Sequence, residues 1–116
     1  MSLAIIDPAG LLSVEWQLLI ERRFMFALSR YDARIVRAEV VIGSDAAGNG
    51  STACQCLVSV ELQKASPVSI GERDADLSKC IARAAERASR AVGRSIDNAI
   101  QGEGNRATGL YTSINR

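Results

Sequence analysis

TACQCLVSVELQ, residues 52–63, is the clearest strand in the sequence. Cys54, Cys56, Val58, Val60 and Leu62 alternate with Gln55, Leu57, Ser59, Glu61 and Gln63, a period of two that sends one set toward a covered face and the other toward solvent. Ala65–Ser66 follows as a short turn. Pro67–Val68–Ser69–Ile70 then reads as a brief returning strand, and its opening proline, which has no N–H for a ladder, marks an edge. Working upstream, residues 34–42 hold Ile35, Val36, Val40, Val41 and Ile42, mostly β-branched, and Gly43–Ser44–Asp45 closes the run. Residues 45–51 are dense in Gly, Ala and Asn and form a loop by composition.

Downstream, Asp74 or Asp76 can cap a helix that runs through Leu77, Ile81, Ala84, Ala85, Ala88 and Val92 to about Asn98, with alanine supplying helix propensity. At the other end, residues 3–6 are a short apolar strand ended by Asp7–Pro8 and Gly10. Ser13 is a plausible N-cap and Glu15 suits the first turn of a helix reaching about Tyr31, a stretch without Gly or Pro. Val14, Leu18, Met25 and Leu28 share one face of it, with Arg22, Arg23 and Arg30 largely outside. The order β-α-β-β-β-α predicts an α+β fold: a four-stranded mixed sheet with both helices packed on one face, the first two strands parallel through a right-handed crossover. Residues 1–100 form the single domain and residues 101–116, rich in Gly, Asn, Thr and Ser, a flexible polar tail.

Composition narrows the function classes. A chain of 116 residues, 47% hydrophobic and 23% charged, has enough apolar material for one core and too little length for two. Its longest apolar runs fall far short of the eighteen or so residues of a bilayer span, so no membrane association is expected. The start, Met1–Ser2–Leu3–Ala4–Ile5–Ile6–Asp7–Pro8, lacks a secretory pattern, and Cys54, Cys56 and Cys80 are an odd set without framework spacing; both point to a reducing cytoplasm. Three thiols are one ligand short of a structural zinc site, and the absence of histidine removes both the usual fourth ligand and the commonest base for a cysteine nucleophile. No catalytic residue, metal or cofactor is expected. Trp16 and Tyr31 can stack on bases or pack on the sheet, and packing is the expected role.

Charge is distributed unevenly although the net value is only +1. At 100° per residue, Lys79, Arg83, Arg87, Arg90 and Arg94 lie within an arc of roughly 80°, opposite the apolar side of their helix. Within that stretch Glu86 is the sole carboxylate. A second group, Arg22, Arg23, Arg30, Arg34 and Arg37, faces Asp32 inside its span and Glu21 and Glu39 at its borders. Cations one helical turn apart can each meet a separate phosphate, and arginine can do so with two parallel hydrogen bonds. The ordinary alternative is a solvated face, which any amphipathic helix presents to water.

These pieces, in this order, resemble the ribosome hibernation promoting factors, also called protein Y or sigma-54 modulation proteins. The resemblance spans residues 11–94. Its carriers are Arg34–Ile35, Glu39–Val40–Val41–Ile42–Gly43–Ser44–Asp45 before a Gly/Asn loop, Leu57–Val58–Ser59–Val60–Glu61, Pro67–Val68–Ser69–Ile70, Asp74–Ala75–Asp76–Leu77, and Ile81 with Ala84–Ala85 and the arginines. It implies a non-catalytic domain that docks on the small ribosomal subunit and its rRNA through basic helix faces and silences translation in slow growth. Lys79, Arg83, Arg87, Arg90 and Arg94 would be the second-helix contacts, and Arg22, Arg23, Arg30, Arg34 and Arg37 the first-helix side. The chain would be a short form. It departs from the family at Thr52–Ala53–Cys54–Gln55–Cys56, where many relatives carry basic residues. The competing expectation is an interaction or scaffold domain that self-associates or binds another protein through its open sheet face or edge, without RNA; a weak homodimer is the self-association expected.

Overall fold

A computed structural model describes residues 1–46 and 52–112. Four strands, β1 (Ser2–Ile6), β2 (Ile35–Ala46), β3 (Thr52–Leu62) and β4 (Val68–Asp74), form one sheet in the order β1-β2-β3-β4. β1 runs parallel to β2, and the other neighbours are antiparallel. Helices α1 (Val14–Leu28) and α2 (Leu77–Thr112) cover one face, and a 3-10 turn, Ser29–Arg34, leads from α1 into β2. This is the predicted α+β arrangement. Among the described residues no helix is long and apolar enough to cross a membrane.

The inward side of β3 is the set read from its alternation: Cys56, Val58, Val60 and Leu62 are buried, opposite Ala38, Val40 and Ile42 of β2. Outward stand Ser59, Glu61 and Arg37, the last within 3.5 Å of Glu39 and 3.9 Å of Glu61. That ion-paired part of the outer face does not suit a dry contact, while Ile6, Val41 and Leu57 form an apolar row across the same face.

Several bounds differ from expectation, each for a local reason. β2 continues through Gly43–Ser44–Asp45 because Gln55, Cys54 and Ala53 pair across from them. β4 continues past Ile70 through Gly71, since β3 offers partners as far as Cys54 opposite Asp74. Gly71 keeps that pairing close, as a Cβ there would lie 3.1 Å from Leu57 Cδ2. α2 passes Asn98 and reaches Thr112; isolated glycines weaken a helix by roughly 1 kcal/mol each but leave its hydrogen-bond ladder intact. Residues 47–51 of the expected loop and 113–116 of the expected tail lie outside the described residues.

The expected inward face of α1 needs correction. Ser13 caps it, its Oγ accepting the Trp16 N–H at 3.2 Å, but the buried residues are Ile20, Phe24 and Leu28. Val14, Leu18 and Met25 are 71%, 51% and 44% exposed. The helix carries apolar residues on two sides, and Ile20, Phe24 and Leu28 meet the sheet. Trp16 and Tyr31 pack against the core, as expected.

Tyr31 explains a glycine inside α2. A Cβ on Gly93 would stand 2.4 Å from the Tyr31 hydroxyl and 3.2 Å from Cζ. Gly93→Ala should therefore lower stability by about 1–2 kcal/mol despite alanine's better helix propensity, because a stiff ring must move. Combining it with Tyr31→Phe, which deletes the nearest atom, should recover most of that loss in a thermal melt. Equal melting points for the single and double variants would show that the ring moves freely.

Candidate nucleic-acid interface

α2 starts where Asp76 Oδ1 accepts the N–H groups of Ser78 and Lys79 at 2.9 and 3.3 Å, and Asp74 Oδ1 in turn accepts the Asp76 N–H at 2.8 Å. From that cap the helix lies on β4 and β3 through Cys80, Ile81, Ala84, Ala85, Ala88 and Val92, all buried. Lys79, Arg83, Arg87, Arg90 and Arg94 consequently stand on its exposed side, in one row.

The row is not uniformly free. Arg83 pairs with Asp74 at 2.8 Å and approaches Glu72 at 4.0 Å. Arg87 pairs with Glu72 and donates to the Gly71 carbonyl at 2.8 Å, while Arg90 pairs with Glu86 one turn earlier. The middle of the stripe therefore leans over edge strand β4, which supplies two of its counter-charges. Asp74 is held below the usual carboxylate range, first by the Asp76 N–H and then, against some desolvation, by the Arg83 charge. Lys79 and Arg94 hold no ion pair among the described residues.

Sequence reasoning missed Lys64. It sits in the turn between β3 and β4 with φ of 55°, and together with Arg94, Ser95 and Asn98 it lines an open groove of about 570 Å³. Ser95 Oγ donates to the Ser66 carbonyl at 2.6 Å, tying the turn to the helix. A lone lysine in a turn has no periodicity; only the hairpin's return beneath α2 reveals it.

The first-helix arginines do not join the row. Arg22 and Arg23 line a different groove, whose other wall is Ser78, Ile81 and Ala82 of α2. Arg30 lies with its guanidinium 5.9 Å from the centre of the Tyr31 ring. Arg34 donates from Nε and Nη2 to the Gln63 carbonyl, both at 3.2 Å, and so binds the 3-10 turn to the end of β3. Arg37 is on the far face of the sheet, because alternation with buried Ala38 turns it outward. The ten expected residues thus occupy one row, one groove and two structural positions, with Arg30 apart.

No family model matches the chain, nor does any curated protein sequence. A solved structure does: the crystal structure of the Thermus thermophilus protein Y N-terminal domain shares 25% identity, with a TM-score of 0.64 over 81% of this chain and 98% of that one. The chain has the protein Y fold. The family resemblance read from strand three, its hairpin and the arginine helix is carried by the three-dimensional arrangement as well, since nearly all of that neighbour finds a counterpart here.

In this protein Y-like domain the cysteines lie beneath the stripe. Cys80 donates weakly through Sγ to the carbonyls of Glu72 and Cys54, at 3.4 and 3.6 Å. Burial, followed by the neighbouring Cys80 and Glu72, pushes the Cys56 thiol up to about 12, and burial likewise raises Cys80. Thiolates react and thiols do not, so at neutral pH a thiol reagent should label neither Cys56 nor Cys80 until the chain unfolds. Mass mapping after labelling with and without denaturant checks this, and rapid native labelling of Cys56 would contradict it. Among the described residues no three His, Cys, Asp or Glu side chains are placed to hold a metal ion.

Proposed function

We propose that this chain docks on the small ribosomal subunit through the α2 row and modulates translation or ribosome hibernation without catalysing a reaction. The observation that carries this reading is the coincidence of a protein Y fold with an exposed row of five cations on one helix. Lys79 and Arg94, extended by Lys64, offer the unpaired charges. Arg83, Arg87 and Arg90 are already oriented by Asp74, Glu72 and Glu86, and each retains further N–H donors for a phosphate. Such contacts read the shape and backbone of structured RNA rather than its bases. Arg22, Arg23 and Arg30 can add outer contacts, whereas Arg34 and Arg37 are engaged elsewhere.

The scaffold alternative gains less from the geometry. The outer sheet face carries the ion-paired cluster of Arg37, Glu39 and Glu61, and Arg87 occupies a carbonyl of edge strand β4. The deciding experiment is sedimentation of purified protein with isolated small subunits over a salt series. Binding at low ionic strength that weakens steeply as salt rises supports the proposal, because phosphate contact releases counterions. Absence of binding at low salt, or binding indifferent to salt, overturns it.

A further inference from the structure

α1 is apolar on two opposite sides. Ile20, Phe24 and Leu28 are wholly buried, yet Leu18, Leu19 and Phe26 remain 51%, 49% and 82% exposed. In helical projection Glu15, Leu18, Leu19, Arg22 and Phe26 fall within roughly 100° of one another, opposite the core side. Large apolar side chains left in water on a helix face, with charges set among them, mark a contact surface. Beside it runs the groove whose far wall is Ser78, Ile81 and Ala82 of α2, which gives an incoming side chain somewhere to go.

The order of charges on that face identifies the occupant. Glu15 and Arg22 are two turns apart, roughly 10 Å along the axis, too far to pair with each other. Neither holds an ion pair among the described residues. If a second copy of α1 is laid antiparallel about a two-fold axis between Leu18 and Leu19, residues equidistant from that axis face each other. Glu15 of each copy then meets Arg22 of the other, Leu18 meets Leu19, and Phe26 reaches Leu11. Leu11, in the turn before α1, is 54% exposed, and the Asp7 carboxylate fixes that turn by accepting the N–H groups of Leu11 and Leu12 at 2.9 and 2.8 Å. A two-fold interface requires this self-complementarity, whereas an unrelated partner does not.

We propose that the outward face of α1 is a homodimer interface, in which two copies pack antiparallel around Leu18, Leu19 and Phe26 and exchange two Glu15–Arg22 ion pairs. The proposal is independent of ribosome docking. It shares Arg22 with the outer rRNA contacts, so that residue serves either the second copy or RNA but not both, while the α2 row stays outside the interface.

Sedimentation velocity on the RNA-free full chain across the micromolar range tests it. The wild type should pass from one-chain to two-chain mass with rising concentration. Phe26→Ser should raise the dissociation constant roughly tenfold or more. Arg22→Glu should do the same by setting like charges opposite each other, and Glu15→Arg combined with Arg22→Glu should restore association. Circular dichroism melts on the same samples confirm that every variant is folded. A wild type that stays monomeric throughout, a dimer indifferent to Phe26→Ser, or a charge reversal that the swap does not rescue each overturns the proposal. Because no ribosome is present, these results are separate from the salt-dependent pelleting that tests rRNA docking.

Discussion

Glutamine at Lys64, Lys79 and Arg94 together should weaken binding to small subunits by one to two orders of magnitude or more, and reduce the slope of log affinity against log salt by roughly two to three units. Stability should hardly change, because these three cations hold no ion pair among the described residues and exposed substitutions of this kind fall within about 0.5 kcal/mol. Glutamine at Arg83, Arg87 and Arg90 should reduce the salt slope by a similar amount but also lower the melting temperature measurably, since Glu72 and Asp74 lose their counter-charges. The acid limb of the stability curve should move as well. Asp74 has a depressed pKa in the fold, so its contribution is present above the ordinary carboxylate range and fades as pH falls through the lowered value. Without Arg83 the folded value rises toward the unfolded one, and part of that contribution is gone already at neutral pH. Melting curves over a pH series and ribosome pelleting over a salt series, on the same preparations, separate the two triple variants. If the Lys64, Lys79, Arg94 variant pellets with an unchanged salt slope, those side chains touch no phosphate.

Phe24→Ala and Phe26→Ala should differ as sharply as any neighbouring pair in the chain. Phe24 is fully enclosed between α1 and the sheet, and truncating a buried phenylalanine costs about 3–5 kcal/mol in lost burial and cavity. Domains of this size have roughly 5–15 kcal/mol in total, so the Phe24 variant should melt more than about 10 °C lower and verge on unfolding at physiological temperature. Phe26 is 82% exposed, and its truncation should leave the dilute protein's melting point within a few degrees. Similar destabilisation by both would mean that α1 is rotated on the sheet.

That pair also shows why α1 was the hardest element to read. The strands announced themselves because a period of two is unambiguous when one face is dry, and β3 was assigned residue by residue to its correct sides. α2 was equally plain, with one alanine-lined side and one arginine-lined side. In α1 two apolar stripes compete, and nothing local says that Ile20 and Phe24 rather than Val14, Leu18 and Met25 will meet the sheet; tertiary packing decides. The candidate interface divides along the same line. Lys79 to Arg94 form a row because one helix carries them, so spacing alone placed them together. Arg37 left the set because strand alternation overrode its position in a basic stretch, and Arg34 because a neighbouring carbonyl lay within reach. Lys64 joins it through a hairpin return that no periodicity records, and the counter-charges Glu72 and Asp74 join because β4 continues past Ile70, where the returning strand was expected to stop.

The sheet order has a consequence for how the chain is put together in time. Every strand lies beside its neighbour in sequence, and β2, β3 and β4 are joined by hairpins whose closure orders few residues. β1 alone waits for a partner across a helix and a 3-10 turn, and pairs with it in parallel. Short-range closures precede long-range ones, so β1, made before the other three strands of the sheet, is the last of them to gain its hydrogen bonds, and until residues 35–46 emerge it and α1 have no sheet to fold upon. The same asymmetry holds in reverse. β1 borders the sheet on one side only and can detach without opening any other ladder, so the N-terminal strand is the natural point at which this domain loosens while the hairpins beneath α2 remain closed.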